Sequence, residues 1–234
     1  MALIVADNIH KDYQVGDVVV HALHGVGFEI EPASFVSFVG PSGSGKTTLL
    51  NLVGCLDKPS AGTLRVANTD IARLDRKESA AFRGRHLGFI FQDFNLIPVL
   101  TVYENIEYPL MMVQNVPPAE RNGRIERLLG AVGMADQKDK YPDQISGGQK
   151  QRVAIARALV TNPELVLADE PTANLDSHTA YAVINLMKRM RDELSTTFIF
   201  STHDQKIVGE AEVIFRLEDG VIVAKETKRG GNYE

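Results

Sequence analysis

Along the first third of the chain, apolar residues fall in short runs broken by Gly, Pro and polar clusters, which is the spacing of strands. Strands are predicted over 3–5, 18–23, 26–30, 35–39, 62–66 and 87–91. The middle changes character. Ile125, Leu128, Leu129 and Val132 recur at helical spacing, a turn follows near Gly133, and a second helix is predicted over 148–159. The last third returns to alternation, with a buried strand over 165–168, an amphipathic helix over 179–194 and a strand over 197–201. Two closing runs, 213–217 and 221–225, flank Glu218-Asp219-Gly220 and predict a terminal hairpin. The pattern is that of one α/β domain whose core, 1–92 and 161–234, is interrupted by a helical insertion at about 93–160. No repeat, low-complexity tract or flexible linker divides it.

Composition narrows the class. A chain of 234 residues can bury a sizeable core without staples. Its 25 basic and 30 acidic residues give a net charge of −5, which argues against a nucleic-acid partner. Cys55, the single cysteine, sits in the apolar stretch 49–56 and reads as a small buried hydrophobe. No apolar run reaches the ~18 residues that span a bilayer, and residues 1–10 lack the pattern of a signal peptide. The expectation is a cytoplasmic protein that reaches a membrane only through a partner.

The strongest chemical signal follows the strand 35–39. Gly40-Pro41-Ser42-Gly43-Ser44-Gly45-Lys46-Thr47 fits G-x-x-x-x-G-K-[ST], with a strand before it and a helix from Thr48 after it. The glycines let backbone N–H groups turn inward around phosphates, and the helix N-terminus adds positive dipole there. Lys46 is expected to reach the β- and γ-phosphates of ATP, and the Thr47 hydroxyl to ligate Mg²⁺.

A second apolar strand ends in Asp169-Glu170, and a third ends at Thr202-His203-Asp204. Ligands of parallel sheets bind at the carboxyl ends of strands, so these residues are expected beside Lys46. The division of labour predicted is Asp169 near the Mg²⁺ shell, Glu170 polarising the attacking water, and His203 sensing the γ-phosphate.

Ile145-Ser146-Gly147-Gly148-Gln149 precedes the helix that carries Arg152 and Arg157. With Lys46, Asp169 and His203 in this order, the chain resembles the nucleotide-binding subunits of ABC transporters over nearly its whole length. The resemblance implies a P-loop NTPase core with a mostly parallel sheet, an N-terminal antiparallel β subdomain and a helical lobe. It implies that Tyr13 stacks on adenine, that Gln92 touches the Mg²⁺ site, and that the phosphate loop with Thr48 holds the nucleotide. It further implies that Ser146, Gly147, Gly148 and Gln149, with Asp176 in the loop after Ala173, contact ATP held by a second copy. Two chains would then complete each other's sites. Ile145 stands where the family usually has Leu, and Ala33-Ser34 where it often has Gly-Glu; both are expected to be harmless.

Residues 52–59, 91–98 and 101–105 look like the lipoprotein-releasing and macrolide-exporter branch, whose ATPases drive membrane permeases from the cytoplasmic face of the inner membrane. The cell-division ATPase that regulates wall hydrolases shares many of these features. A nucleic-acid-associated ABC ATPase fits less well, since the 54 positions from Gln92 to Ser146 leave no room for a long coiled coil. Residues 95–114 are rich in apolar side chains, including Leu96, Val99, Leu110 and Met112. They read either as core of the helical lobe or as a groove for a short permease helix.

Overall fold

The computed structural model describes residues 1–228. Its strands are β1 (Ile4–Val15), β2 (Val18–Ile30), β3 (Phe35–Val39), β4 (Ala61–Val66), β5 (Thr69–Asp70), β6 (Leu87–Ile90), β7 (Leu165–Asp169), β8 (Thr197–Thr202), β9 (Val213–Glu218) and β10 (Val221–Thr227). Its α-helices are α1 (Lys46–Val53), α2 (Arg76–His86), α3 (Val102–Met112), α4 (Pro118–Ala131), α5 (Gly147–Leu159), α6 (Ser177–Leu194) and α7 (Gln205–Val208).

Two sheets organise these elements. One is antiparallel, in the order β2-β1-β4-β5. The other runs β10-β9-β3-β8-β7-β6 and is parallel except for the β9–β10 hairpin at its edge. The period of two along its central strands decides which layer each residue joins. In β3, Phe35 and Val39 face one core while Val36 and Phe38 face the other. Val166 and Ala168 of β7, and Phe198 and Phe200 of β8, join the first core; Leu165, Leu167 and Ile199 join the second. The first core is closed by α3, α4, α5 and α6, the second by α1, α2 and the antiparallel sheet. This explains why the central strands read as unbroken apolar runs: both faces are covered.

The helix starts are fixed by local chemistry. Thr101 and Glu104 form a reciprocal capping box at α3, as do Asp75 and Glu78 at α2 and Ser146 and Gln149 at α5. Asp176 caps α6 by accepting from the Thr179 amide and hydroxyl. Such caps each contribute about 1 kcal/mol.

The predicted α/β alternation and terminal hairpin match the structure, with two kinds of departure. β1 and β2 are each longer than the apolar runs suggest, because register shifts between Ala6 and Asp12 break the strict alternation while the pairing continues to Val15 and Val18. Helices α2 and α3 carry weak signals. The first is mostly polar, burying only Ser79 and Phe82, and the second contains Pro109. In the apolar stretch 95–114 both readings hold in part. Ile106 and Leu110 are fully buried, whereas Met111, Met112 and Val113 are exposed.

Candidate active site

The parallel register brings four strand ends together. Val39 pairs with Thr202, Asp169 with Ser201, and Ile90 with Ala168, so the loops after β3, β6, β7 and β8 emerge side by side. The site is built on those loops.

Gly40 to Thr47 forms a tight loop leading into α1. Gly45 is the N-cap, with φ 100°, and a Cβ on it would lie 2.9 Å from the Ala22 carbonyl oxygen, so only glycine fits. Pro41, Ser42 and Gly43 form the exposed crest of the loop. The Lys46 ammonium turns back into the loop and donates to the carbonyls of Gly40 and Pro41 at 2.8 Å each. Ser44 is buried, and its Oγ has no hydrogen-bond partner among the described residues. A buried hydroxyl left unpaired is costly unless a ligand satisfies it, so this orphan donor suits a phosphate oxygen.

Thr47 Oγ1 lies 3.1 Å from Asp169 Oδ2. A hydroxyl and a carboxylate are hard oxygen donors, which fits Mg²⁺. Among the described residues no group of three or more His, Cys, Asp or Glu is placed to hold a metal. That also fits Mg²⁺, which is commonly bound through one or two protein oxygens together with substrate phosphates and waters.

Ser201 organises the two acids, and nothing in the motif pattern announced it. Its Oγ donates to Asp169 Oδ1 at 2.6 Å and accepts the Glu170 amide at 3.0 Å. Glu170 itself sits in the left-handed region, with φ 47°, a conformation that a non-glycine residue holds only at some cost. The carboxylate is thereby directed to His203, whose Nδ1–H donates to Glu170 Oε1 at 2.9 Å. The only sequence signal for Ser201 was its position at a strand end next to Asp169, which needs the register to interpret.

Tyr13 stands on β1 with its hydroxyl donating to Asp57 Oδ2 at 3.1 Å and the Lys11 ammonium 4.8 Å from its ring centre. Burial pushes the phenol pKa up; a hydrogen bond with Thr48 opposes that and Asp57 adds to it. Burial also tends to raise the Asp57 carboxyl. Hydrogen bonds from Lys11, the Lys58 amide and Tyr13 outweigh it and hold the group below the ordinary carboxylate range.

The remaining predicted residues make no hydrogen bond to the side chains of Lys46, Thr47, Asp169, Glu170 or His203 among the described residues. Gln92 follows β6 with its side chain exposed, and its carbonyl accepts from Asn174 Nδ2 at 3.0 Å. The same amide donates to Asp93 Oδ1 at 3.1 Å. On the other side of that loop, the Arg157 guanidinium donates to the carbonyls of Phe94 and Asn95. Loop 92–95 is thus tied both to the segment before α6 and to α5. Burial lowers the Arg157 pKa, yet a guanidinium remains charged.

Ser146, Gly147, Gly148 and Gln149 open α5. Ser146 Oγ accepts the Gln149 amide at 3.3 Å, and Gln149 Oε1 accepts the Ser146 amide at 2.9 Å. A Cβ on Gly148 would lie 2.4 Å from a Thr179 methyl, so glycine lets α5 approach α6 closely. Among the described residues no hydrogen bond joins these four, or Asp176, to Lys46, Thr47, Asp169, Glu170 or His203.

Residues 23–173 match the family model described as ABC transporter. The chain is 44% identical over 225 residues to a macrolide export ATP-binding/permease protein MacB of Syntrophobacter fumaroxidans, covering 95% of this chain and 31% of that protein. It therefore spans about a third of the length of that relative. An uncharacterized ABC transporter ATP-binding protein of Thermotoga maritima is 43% identical over 226 residues, 97% of this chain and 95% of the relative. Among solved structures, the ATP-binding cassette MJ0796, of Methanocaldococcus jannaschii, was described as a dimer in a post-hydrolysis state bound to ADP and Pi. It matches with a TM-score of 0.87 at 41% identity, over 97% of this chain and 100% of that one.

Proposed function

The chain belongs to the ABC transporter family as an ATP-hydrolysing cassette, and from that premise we propose that two copies close around two ATP molecules to drive a membrane permease of the lipoprotein-release or macrolide-export kind. The observation that carries this reading is the convergence of Lys46, Thr47, Asp169, Glu170 and His203 at neighbouring strand ends, to which Ser146–Gln149 makes no hydrogen bond among the described residues. One chain supplies half a site.

In the proposed assembly, the phosphate loop and Thr48 bind the nucleotide, Lys46 leaves the carbonyls of Gly40 and Pro41 for the β- and γ-phosphates, and Tyr13 stacks on the base. Thr47, Asp169 and Gln92 hold Mg²⁺, which when bound neutralises charge developing on the phosphates. Glu170 accepts a proton from the attacking water, and His203, already bonded to Glu170, contacts the γ-phosphate. The first-turn amides of Gly147 and Gly148, with Ser146, Gln149 and Asp176, meet the γ-phosphate held by the other copy.

We assign residues 1–92 and 161–228 to the nucleotide-holding core of a single domain, and about 93–160 to its signature-bearing lobe; the expected continuation of the core to 234 lies outside the described residues. Among the described residues no helix is long and apolar enough to cross a membrane. The permease is proposed as an integral membrane component, which this chain meets peripherally on the cytoplasmic face. The docking surface proposed is the groove between α2, α3 and α5, where Met112 and Val113 are exposed.

Steady-state ATPase of the purified chain across protein concentrations tests the shared-site reading. Activity per chain should climb with concentration and vanish in Lys46→Ala. Activity per chain that stays constant on strong dilution contradicts it.

A further inference from the structure

The groove between α2, α3 and α5 has a volume of about 1030 Å³. A helix about 10 Å across and two turns long occupies roughly 850 Å³, so the groove accommodates a helical segment of that size. Phe89, Phe91, Met112 and Val113 supply its apolar lining. Its charge is one-sided: Arg83, Arg85, Arg124 and Arg157 line it, with no Asp or Glu among the lining residues.

This bias stands out in a chain with net charge −5. Away from the groove, Arg73, Arg121, Arg189, Arg191 and Arg216 each pair with a carboxylate, while Arg65, Arg76, Arg127 and Arg152 form no ion pair among the described residues. What marks the groove is that four arginines share one concave, partly apolar surface with no acid on it. None of the four groove arginines forms an ion pair among the described residues. Arg83 and Arg157 are spent on backbone carbonyls, those of Cys55 and of Phe94 and Asn95. Arg85 and Arg124 have no such partner among the described residues, and they stand in the groove together with Met112. Covering two guanidiniums with a neutral or basic segment would strip their water without return.

We propose that the segment seated in this groove is a short amphipathic helix of the membrane subunit that carries carboxylates against Arg85 and Arg124. The inference rests on the reading of the groove as the permease docking site and adds the chemistry of the partner. Arginine and carboxylate meet in paired, directional hydrogen bonds, so the acids fix the register of the helix while its apolar face fills the space beside Met112 and Phe89. The arginines thus choose among permeases rather than supply most of the affinity.

Two synthetic helical peptides of about 14 residues, long enough to form a marginal helix, test it. They share one apolar face and differ only in bearing Glu or Lys along its rim. Binding to the full chain is read by fluorescence anisotropy for wild type, Arg85→Glu/Arg124→Glu and Met112→Glu, with circular dichroism and basal ATPase confirming that each variant folds. The Glu peptide should bind wild type at least about tenfold more tightly, a difference of about 1.4 kcal/mol. The double charge reversal should invert the order, and Met112→Glu should weaken both peptides. Equal binding of the two peptides to wild type, or a preference surviving the double variant, overturns the acidic partner and leaves docking standing. Indifference of both peptides to Met112→Glu, or no binding at all, overturns the docking reading itself. Anionic phospholipid vesicles are the third arm: displacement of the Glu peptide by vesicles through Arg85 and Arg124 would assign the arginines to lipid and refute the proposal.

Discussion

Glu170 Oε1 lies 2.9 Å from His203 Nδ1, and the two residues reach that contact from the ends of the adjacent parallel strands β7 and β8. The pairing is held from behind as well as in front. The Glu170 amide is anchored on Ser201 one strand away, and its left-handed backbone keeps the carboxylate turned toward the imidazole. The proposed base for water and the proposed γ-phosphate contact are therefore oriented by one contact, which would lower the ordering needed at the moment of reaction.

Replacing His203 by Ala removes the orienting partner of Glu170 and the proposed γ-phosphate contact together. ATPase turnover should fall by roughly a hundredfold, the scale of losing one preorganised donor. ADP affinity should stay within about twofold, because ADP has no γ-phosphate to lose. Isothermal titration with ADP and a steady-state assay separate the two; equal losses in both would make His203 a folding residue.

Ser201→Ala strikes the acids without touching nucleotide. It leaves the part-buried Glu170 amide without its partner and releases Asp169 Oδ1, at a cost of about 1–3 kcal/mol in stability. Chemical denaturation should show that loss. Turnover should drop while ATP affinity changes little, since Lys46 and the loop from Gly40 to Thr47 are intact. Unchanged turnover would show that Glu170 keeps its pose without Ser201.

How far the sequence foresees this site depends on the range of the interactions. Gly40 to Thr47 is legible because phosphate binding is local: consecutive backbone amides and one lysine at a fixed offset do the work. Asp169, Glu170 and His203 are legible as strand ends, and the parallel register does bring them together. Ser201 is not, since its role exists only once β8 lies beside β7. Nor are the bonds of Arg157 and Asn174 to loop 92–95, which cross 62 and 82 positions of chain. In the fold, α2 escaped because only two of its residues are buried, and the length of β1 because its register slips.

The Lys11–Asp57–Tyr13 cluster predicts a pH effect. Burial raises the Asp57 carboxyl, but three hydrogen bonds hold it below its ordinary value, so the folded state binds this proton less readily than the unfolded chain does. The resulting stability is present above the unfolded pKa near ~3.9 and is lost as pH falls through the lower folded value. Asp57→Asn should therefore be less stable than wild type at pH 7, with a gap that is constant down to about pH 5 and narrows below about pH 4. Thermal unfolding of both proteins across that range checks it; a gap independent of pH refutes the assignment.

The central claim is that hydrolysis requires two chains, each lending its signature to the other's phosphate loop. Glu170→Gln keeps the shape of the side chain and its contact with His203 but removes the carboxylate that accepts the proton from water. The variant should bind ATP and stall before cleavage. Size-exclusion chromatography with multi-angle light scattering, run with ATP and Mg²⁺, should then show a mass twice that of the chain, returning to the monomer with ADP. A Glu170→Gln variant that stays monomeric with saturating ATP, or hydrolyses ATP at the wild-type rate, contradicts the account.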